Sequence, residues 1–151
     1  MITVIQAASY IVRRYKKEFG ADIDEMKLHK LLYLTQRESL IMKGKPIFNA
    51  SFEAWKYGPV VIEVREMFRQ NALNVEMDKD SLKEYLPVFD SVFVRYANKD
   101  SWSLSLLTHG ESSWQNARKG LAPDEHSSEK LSMDDIQWDA ERMKIRRYVL
   151  S

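Results

Sequence analysis

The chain lacks cysteine altogether, and this absence excludes disulfide bonds, thiolate metal ligands and a thiol nucleophile. Long apolar runs are also missing, because none approaches the roughly 20 residues that a helix needs to cross a bilayer. The amino terminus, residues 1–6, lacks the basic region and the cleavage site of a signal peptide. These absences together predict a cytoplasmic protein with no membrane partner.

Neither sign of charge is in excess. The 23 basic and 22 acidic residues leave a formal net charge of +1, so there is no global electrostatic reason to bind nucleic acid or an anionic membrane. The sequence also contains no internal repeat, linker or low-complexity tract. With 44% hydrophobic and 30% charged residues, its composition is that of an ordinary globular protein, and residues 1–151 are expected to form one domain.

Hydrophobic periodicity predicts a mainly α fold. The first helix is expected to run from about Thr3 to Phe19, and Gly20 is the expected residue that ends it. The second helix has a clear start at Asp24, whose carboxylate can cap it, and a clear end at Gly44. Its apolar residues surround the whole circumference, which predicts a central position in the core.

The later apolar patterns predict shorter or interrupted helices. One is expected to begin at Pro59, since a proline in the first turn has no N–H to lose, and Pro87 is expected to start or kink another. A short helix follows Ser112, and Ser132 is expected to cap the last one. The predicted inward stripe of that last helix comprises Ile136, Ala140, Met143 and Tyr148. The whole is predicted to be a compact single-domain helical bundle of about six helices with a small β-hairpin or extended arm.

The stretch from Phe52 to Val61 is the expected centre of that arm. Aromatic and polar residues alternate along it until Gly58-Pro59, a pattern typical of a short half-buried strand followed by a tight turn. This arrangement would place Trp55 and Tyr57 between neighbouring elements.

Three stretches together resemble the Panacea domain family. The first is KLHKLLYL at residues 27–34, followed by GKPIF at residues 44–48; the second is EAWKYGPV at residues 53–60, and the third is LTHGESSW at residues 107–114. Their order and spacing resemble the family from about residue 4 to residue 117. His29 stands where the family often has glutamine, and Ser113 stands where proline is common.

The resemblance implies an antitoxin of a bacterial or phage toxin–antitoxin pair. Such antitoxins neutralise a toxin protein by direct binding, and some relatives act as adaptors that hand the toxin to a protease. The implied partners are a cognate toxin and, for an adaptor, a protease, with no catalytic activity and no cofactor.

Aromatic residues and the matching motifs supply the candidates for partner binding. Buried aromatics usually belong to the core, whereas exposed Trp and Tyr often anchor interfaces. Trp138 lies off the inward stripe of the last helix, which predicts a surface position. The candidate partner-binding residues are Trp55, Lys56, Tyr57, His109, Glu111, Trp114 and Trp138.

Two other function classes are open at this point. His109 and Glu111 form a His-x-Glu pair that could serve a metal-assisted hydrolase, although a hydrogen bond between them that orders a loop is the simpler interpretation. A zinc deaminase is excluded because it needs a pair of cysteines. A nucleic-acid-binding regulator would use the basic end of the last helix together with a cluster in the first helix, and its binding would fall steeply with salt. That cluster comprises Arg13, Arg14, Lys16 and Lys17.

Overall fold

Seven α-helices and one β-hairpin make up the fold, as the mainly α prediction required. The computed structural model describes residues 1–151. The helices are α1 (Val4–Phe19), α2 (Glu25–Lys43), α3 (Ile62–Arg69), α4 (Lys79–Val92), α5 (Ser101–His109), α6 (Ser112–Ala117) and α7 (Met133–Leu150). Strands β1 (Glu53–Trp55) and β2 (Gly58–Val60) pair antiparallel between α2 and α3, and a π-helical segment, Phe93–Ala97, follows α4. None of the helices is both long enough and apolar enough to cross a membrane.

The second helix lies at the centre of the molecule. Every residue from Lys27 to Leu40 is buried, because α1, α4, α5, α7 and β2 all pack against α2. Polar and charged side chains of this helix are therefore buried with the apolar ones. Since a buried charge is costly unless another group compensates it, the partners of these side chains shape the rest of the structure.

Local capping signals set the helix ends as expected. Thr3 and Gln6 form a reciprocal capping box at the start of α1, and Gly20 ends that helix with φ +70°. The Asp24 carboxylate accepts the backbone N–H of Lys27 at the start of α2. These ends depend on residues within one turn of each other, which is why the sequence alone identified Gly20 and Asp24. The capping box of Thr3 and Gln6 was not predicted.

The hairpin turn lies at residues 56–57, so the expectation of a turn at Gly58-Pro59 was wrong. Gly58 instead begins β2 with φ +129°, a conformation that residues with a side chain rarely adopt. A Cβ at this position would lie 3.0 Å from the Thr108 hydroxyl oxygen of α5. Close packing of the hairpin against α5 therefore requires glycine here as well.

The helix predicted to begin at Pro59 was also wrong, because α3 begins at Ile62. Pro59 lies in β2 opposite Ala54. The Ala54 N–H points away from β2 and donates to the carbonyl oxygen of Glu129 at 2.7 Å. The Ala54–Pro59 pair therefore makes no ladder hydrogen bond of its own, and a proline without an N–H is tolerated in this edge strand.

Two expectations about the later helices need correction. The fourth helix begins at Lys79 and contains Pro87, so of the two alternatives only a start near that proline was wrong. In α7, Ile136 and Ala140 are buried as expected, but Tyr148 is 82% exposed. The last turns of α7 extend beyond the apolar core, and there Arg147 rather than Tyr148 faces α2.

Candidate partner-binding site

The hairpin turn forms an exposed tip. Tyr57 is 54% exposed, and the Lys56 ammonium lies 4.8 Å from the centroid of its ring. Trp55 is half-buried, and its indole N–H donates to the Glu53 carboxylate at 3.0 Å. The tip thus combines two aromatic rings with one cation.

Side chains from the α5–α6 region hold this tip in place. The Trp114 indole N–H donates to the Trp55 carbonyl oxygen at 2.8 Å. The His109 ring stacks on Trp114, with 4.2 Å between the ring centroids and 11° between their planes. Arg118 donates from Nη1 to the Ala54 carbonyl oxygen at 2.7 Å. Five of the seven sequence-predicted residues are therefore neighbours, and we call them the hairpin-tip surface: Trp55, Lys56, Tyr57, His109 and Trp114.

The stacked imidazole is neutral at physiological pH. Burial lowers the pKa of His109, and the cations of Lys30 and Arg118 lower it further. Its Nε2 atom is buried and has no hydrogen-bond partner in the protein. The neutral ring therefore packs face to face against the Trp114 indole.

Glu111 does not join the hairpin-tip surface, because its side chain points into the protein. It is 5% exposed and forms an ion pair with Arg37 of α2. The Tyr33 hydroxyl also lies 3.2 Å from Glu111 Oε2. The expected hydrogen bond between His109 and Glu111 is absent, so that interpretation was wrong: Arg37 compensates the carboxylate, and His109 stacks instead.

A second carboxylate, Asp139 of α7, completes a buried polar network. Its oxygens accept the backbone N–H groups of Ser112 at 2.8 Å and Ser113 at 2.9 Å. The Tyr33 hydroxyl lies 3.1 Å from Asp139 Oδ2. These bonds attach the start of α6 to α2 and α7. We refer to Tyr33, Arg37, Glu111 and Asp139 as the buried network.

Burial dominates the proton equilibria of the buried network. It raises the pKa of Glu111 to about 6, although Arg37 lowers that pKa and Asp139 raises it further. Burial also raises the pKa of Tyr33 well above its ordinary value, and the two carboxylates act in the same direction. Tyr33 therefore keeps its proton, and its single O–H donates to one of the two carboxylates at a time.

The first half of α2 carries a buried histidine. The backbone N–H of Val61 donates to His29 Nδ1 at 3.4 Å, and His29 Nε2 lies 3.3 Å from the Glu25 carboxylate. Burial lowers the pKa of His29 to about 4, even though Glu25 opposes the shift. His29 is therefore neutral, and it connects α2 to the residue that precedes α3.

Trp138 is exposed as predicted but belongs to a different part of the molecule. It is 60% exposed on α7 and makes none of the contacts that hold the hairpin-tip surface. The sequence did not identify Tyr33, Arg37 or Asp139 as important. The available signal was a pair of hydrogen-bonding residues, Tyr33 and Arg37, four positions apart on a helix expected to be central.

The structure gives little geometric support to the hydrolase alternative. His109 and Glu111 face different partners, and no group of three or more His, Asp or Glu side chains is placed to hold a metal ion.

The basic cluster near the end of α1 is partly neutralised by acidic residues. Arg14 pairs with Glu18 at 2.7 Å and with Asp90 at 2.6 Å. Lys16 pairs with Asp22 at 3.2 Å. A nucleic-acid interface would need these cations to be free for phosphates, so this arrangement disfavours the alternative.

A comparison with known protein families identifies the class of protein to which the chain belongs. Residues 28–115, more than half of the chain, match the family described as antitoxin SocA-like, Panacea domain, and the chain belongs to this family. The matched region extends from α2 through the hairpin into α6, so it includes the hairpin-tip surface and three residues of the buried network.

One curated relative is the antitoxin SocA of Caulobacter vibrioides (strain NA1000 / CB15N). It is 41% identical over 64 residues, which cover 40% of this chain and 34% of that protein. The chain thus aligns with about a third of the length of this relative. No solved structure matches the chain.

Proposed function

We propose that this protein neutralises a toxin protein in the cytoplasm by binding it directly, with residues 1–151 acting as one non-catalytic domain. Membership of an antitoxin family supports the general role. The observation that carries the mode of action is the hairpin-tip surface. Residues of two family-matching stretches, 53–60 and 107–114, meet there, and Tyr57 remains exposed although the surrounding backbone is tightly held.

The physical properties of this surface suit protein binding. Trp and Tyr are enriched among the residues that contribute most to interface affinity. Hydrogen bonds to the Trp55 and Ala54 carbonyls fix the hairpin before any partner arrives. Because a pre-organised surface loses less conformational entropy on binding, more of the contact energy becomes affinity.

The polar groups nearby support binding rather than catalysis. A general acid or base must reach the substrate proton. The His109 Nε2 atom is buried, and Glu111 is engaged by Arg37 and Tyr33. We therefore include no catalytic step in the proposed function.

Co-expression with the product of the adjacent gene tests the proposal. We expect that product to arrest growth when it is expressed alone, and to be harmless and to co-purify with this chain when both are present. Tyr57→Ala should weaken binding at least tenfold, whereas Val94→Ala should not. Val94 is a suitable control because it is an apolar residue on the π-helical segment and is 80% exposed. An adjacent product that is harmless alone, or that stays toxic and unbound, would contradict the proposal.

Two modes of neutralisation fit this proposal: sequestration of the toxin alone, and delivery of the bound toxin to a protease. Pulse–chase measurement of the toxin half-life separates the two forms. Simple sequestration leaves the half-life unchanged or longer, whereas an adaptor shortens it in a protease-dependent way.

A further inference from the structure

We infer that Lys30 forms a carboxylate-binding site beneath the hairpin, and that this site takes an acidic side chain of the bound partner. The existence of the site rests on the geometry around Lys30. Only the identity of its occupant rests on the proposed function.

Lys30 is a buried cation without a counter-ion. It is 2% exposed, yet its ammonium forms no hydrogen bond and no ion pair with another residue. Asp24 attracts it only from a distance, and the Asp24 carboxylate is already engaged by the Lys27 N–H and the Ser101 hydroxyl. The Lys30 Nζ atom is not among the fully buried atoms that lack a partner, so it opens onto the adjoining cavity. A largely buried ammonium without a counter-ion is costly for the folded protein, and a ligand carboxylate in that cavity would compensate it.

The other strongly buried cations do have partners. Lys27, one turn earlier on α2, donates to the Tyr15 hydroxyl at 3.3 Å. Arg37 pairs with Glu111. Arg118 donates to the carbonyl oxygens of the hairpin and of the segment before α7. Lys30 is therefore the one strongly buried cation without a partner, and burial alone does not account for this.

A cavity of about 200 Å³ lies at Lys30, between α2 and the hairpin. Its walls include the apolar side chains of Met26, Trp55, Pro59 and Val60. Sites for drug-sized ligands typically occupy about 300–1,000 Å³. The smaller volume suits the end of one side chain, with an apolar stem against the walls and a charged group at the ammonium.

Gly58 brings the hairpin backbone close to Lys30. A Cβ at Gly58 would lie 3.7 Å from Lys30 Cε and 3.9 Å from Nζ, besides its 3.0 Å approach to Thr108. The lysine end is therefore held between α2, β2 and α5 at one wall of the cavity. A ligand carboxylate would meet a positioned ammonium rather than a flexible surface lysine.

The remaining charges around the cavity leave Lys30 uncompensated. The Glu25 carboxylate pairs with Arg65 at 2.6 Å and Arg69 at 3.2 Å. His29 lines the cavity. The Lys30 charge contributes to lowering the pKa of both His29 and His109, so both are neutral at pH 7. One ammonium with apolar walls fits a single carboxylate, whereas a phosphate would ordinarily draw several donors.

The first experiment tests the site without a toxin. The full chain, labelled with ¹³C at the lysine ε-carbons, is titrated with N-acetyl-glutamate N-methylamide, and the matched glutamine compound serves as the neutral probe. We expect the Lys30 signal to shift, and its titration midpoint to rise, with the glutamate compound only. The Lys30→Met variant identifies the signal. A Lys30 signal that responds to neither probe, or equally to both, would overturn the inferred site.

The second experiment tests the occupant, using the partner found by co-expression. Lys30→Met keeps the aliphatic chain and removes the charge, and Lys27→Met is the matched control on the same helix. We expect Lys30→Met to stay folded and to weaken partner binding at least tenfold, while Lys27→Met changes affinity less than threefold. Neutralising the contacted acidic residue of the partner should then have no further effect in the Lys30→Met background.

The two experiments keep the inferences separate. If the partner binds wild type and Lys30→Met equally well, the acidic occupant is wrong while the antitoxin proposal stands. If no toxic partner exists, the proposed function fails, and the response to the glutamate compound still decides whether Lys30 forms a carboxylate site.

Discussion

Arg37 of α2 and Glu111 of the α5–α6 turn form an ion pair in which both side chains are almost completely buried. The two residues are 74 positions apart in the sequence. The pair attaches the α5–α6 turn to α2, and His109, two residues before Glu111, stacks on Trp114. The α5–α6 region therefore contacts both the buried network and the exposed hairpin-tip surface.

Removing one member of this pair should destabilise the protein strongly. We expect Glu111→Ala to lower the free energy of unfolding by about 3–5 kcal/mol, because Arg37 would keep a buried charge without its partner. The double variant Arg37→Met with Glu111→Met should lose less than the sum of the single changes. Urea unfolding measures both effects. Glu141→Ala, at an exposed position on α7, serves as the control and should change stability by no more than about 0.5 kcal/mol.

Gly58 should tolerate a side chain much less well than Gly20 does. At Gly58, φ is +129° and an added Cβ would meet Thr108 at 3.0 Å, whereas at Gly20 φ is +70° and no atom lies within 4 Å. We expect Gly58→Ala to cost about 2–4 kcal/mol, from strain and crowding together, and Gly20→Ala about 1 kcal/mol. Thermal and urea unfolding of the two variants side by side provide the test. Equal losses would show that the hairpin adjusts freely.

His29 should make the protein less stable in acid. Burial lowers the pKa of His29 from 6.5 in the unfolded chain to about 4 in the fold. The unfolded state therefore binds the extra proton between these values, and stability falls as pH drops from 6.5 to 4, by up to about 3 kcal/mol. Glutamine is common at this position in the family that the sequence resembles. Its side chain can accept a hydrogen bond from the Val61 N–H and donate one to Glu25, and it does not titrate. Urea unfolding at pH 7 and pH 5 should show a smaller loss for His29→Gln than for wild type.

Lys30 should reduce stability at neutral pH, in contrast to a lysine that gains a partner. Burial lowers the pKa of Lys30 from 10.5 to about 8, so the fold disfavours the ammonium. The penalty is complete below pH 8 and disappears as pH rises through 10.5, because the unfolded state holds its proton longer. A shift of this size is worth about 3 kcal/mol in a dry site and less where water reaches the cavity.

Lys30→Met should therefore stabilise the protein by roughly 1–2 kcal/mol at pH 7, with the gain shrinking above pH 8. Comparison of urea unfolding for wild type and variant at pH 7 and pH 10 measures this difference. A variant that is less stable than wild type at pH 7 would mean that Lys30 has a structural partner after all.

Local signals in the sequence were read correctly where neighbours along the chain decide the outcome. The cap at Asp24 and the helix ends at Gly20 and Gly44 depend on bonds within one helical turn. Periodicity placed α2 at the centre of the fold for a similar reason, since an apolar circumference can be satisfied only by burial. Pro59 was misplaced because its position in β2 depends on the Ala54 N–H bonding to a distant segment.

The candidate site was predictable only in part. The motifs included the residues that meet at the hairpin tip. The sequence also suggested a hydrogen bond between Glu111 and His109. In the structure, Glu111 instead forms an ion pair with Arg37. A choice between two partners for one carboxylate depends on which side chain burial brings within hydrogen-bond distance.

By itself, the sequence determined the mainly α class, the central helix and the family. These properties follow from residue spacing and from motifs that are continuous along the chain. Tertiary structure decided which buried polar groups are paired and which buried lysine is left without a counter-ion. The reason is physical: burial and charge compensation depend on groups that approach in space, and no pattern of neighbouring residues encodes that approach directly.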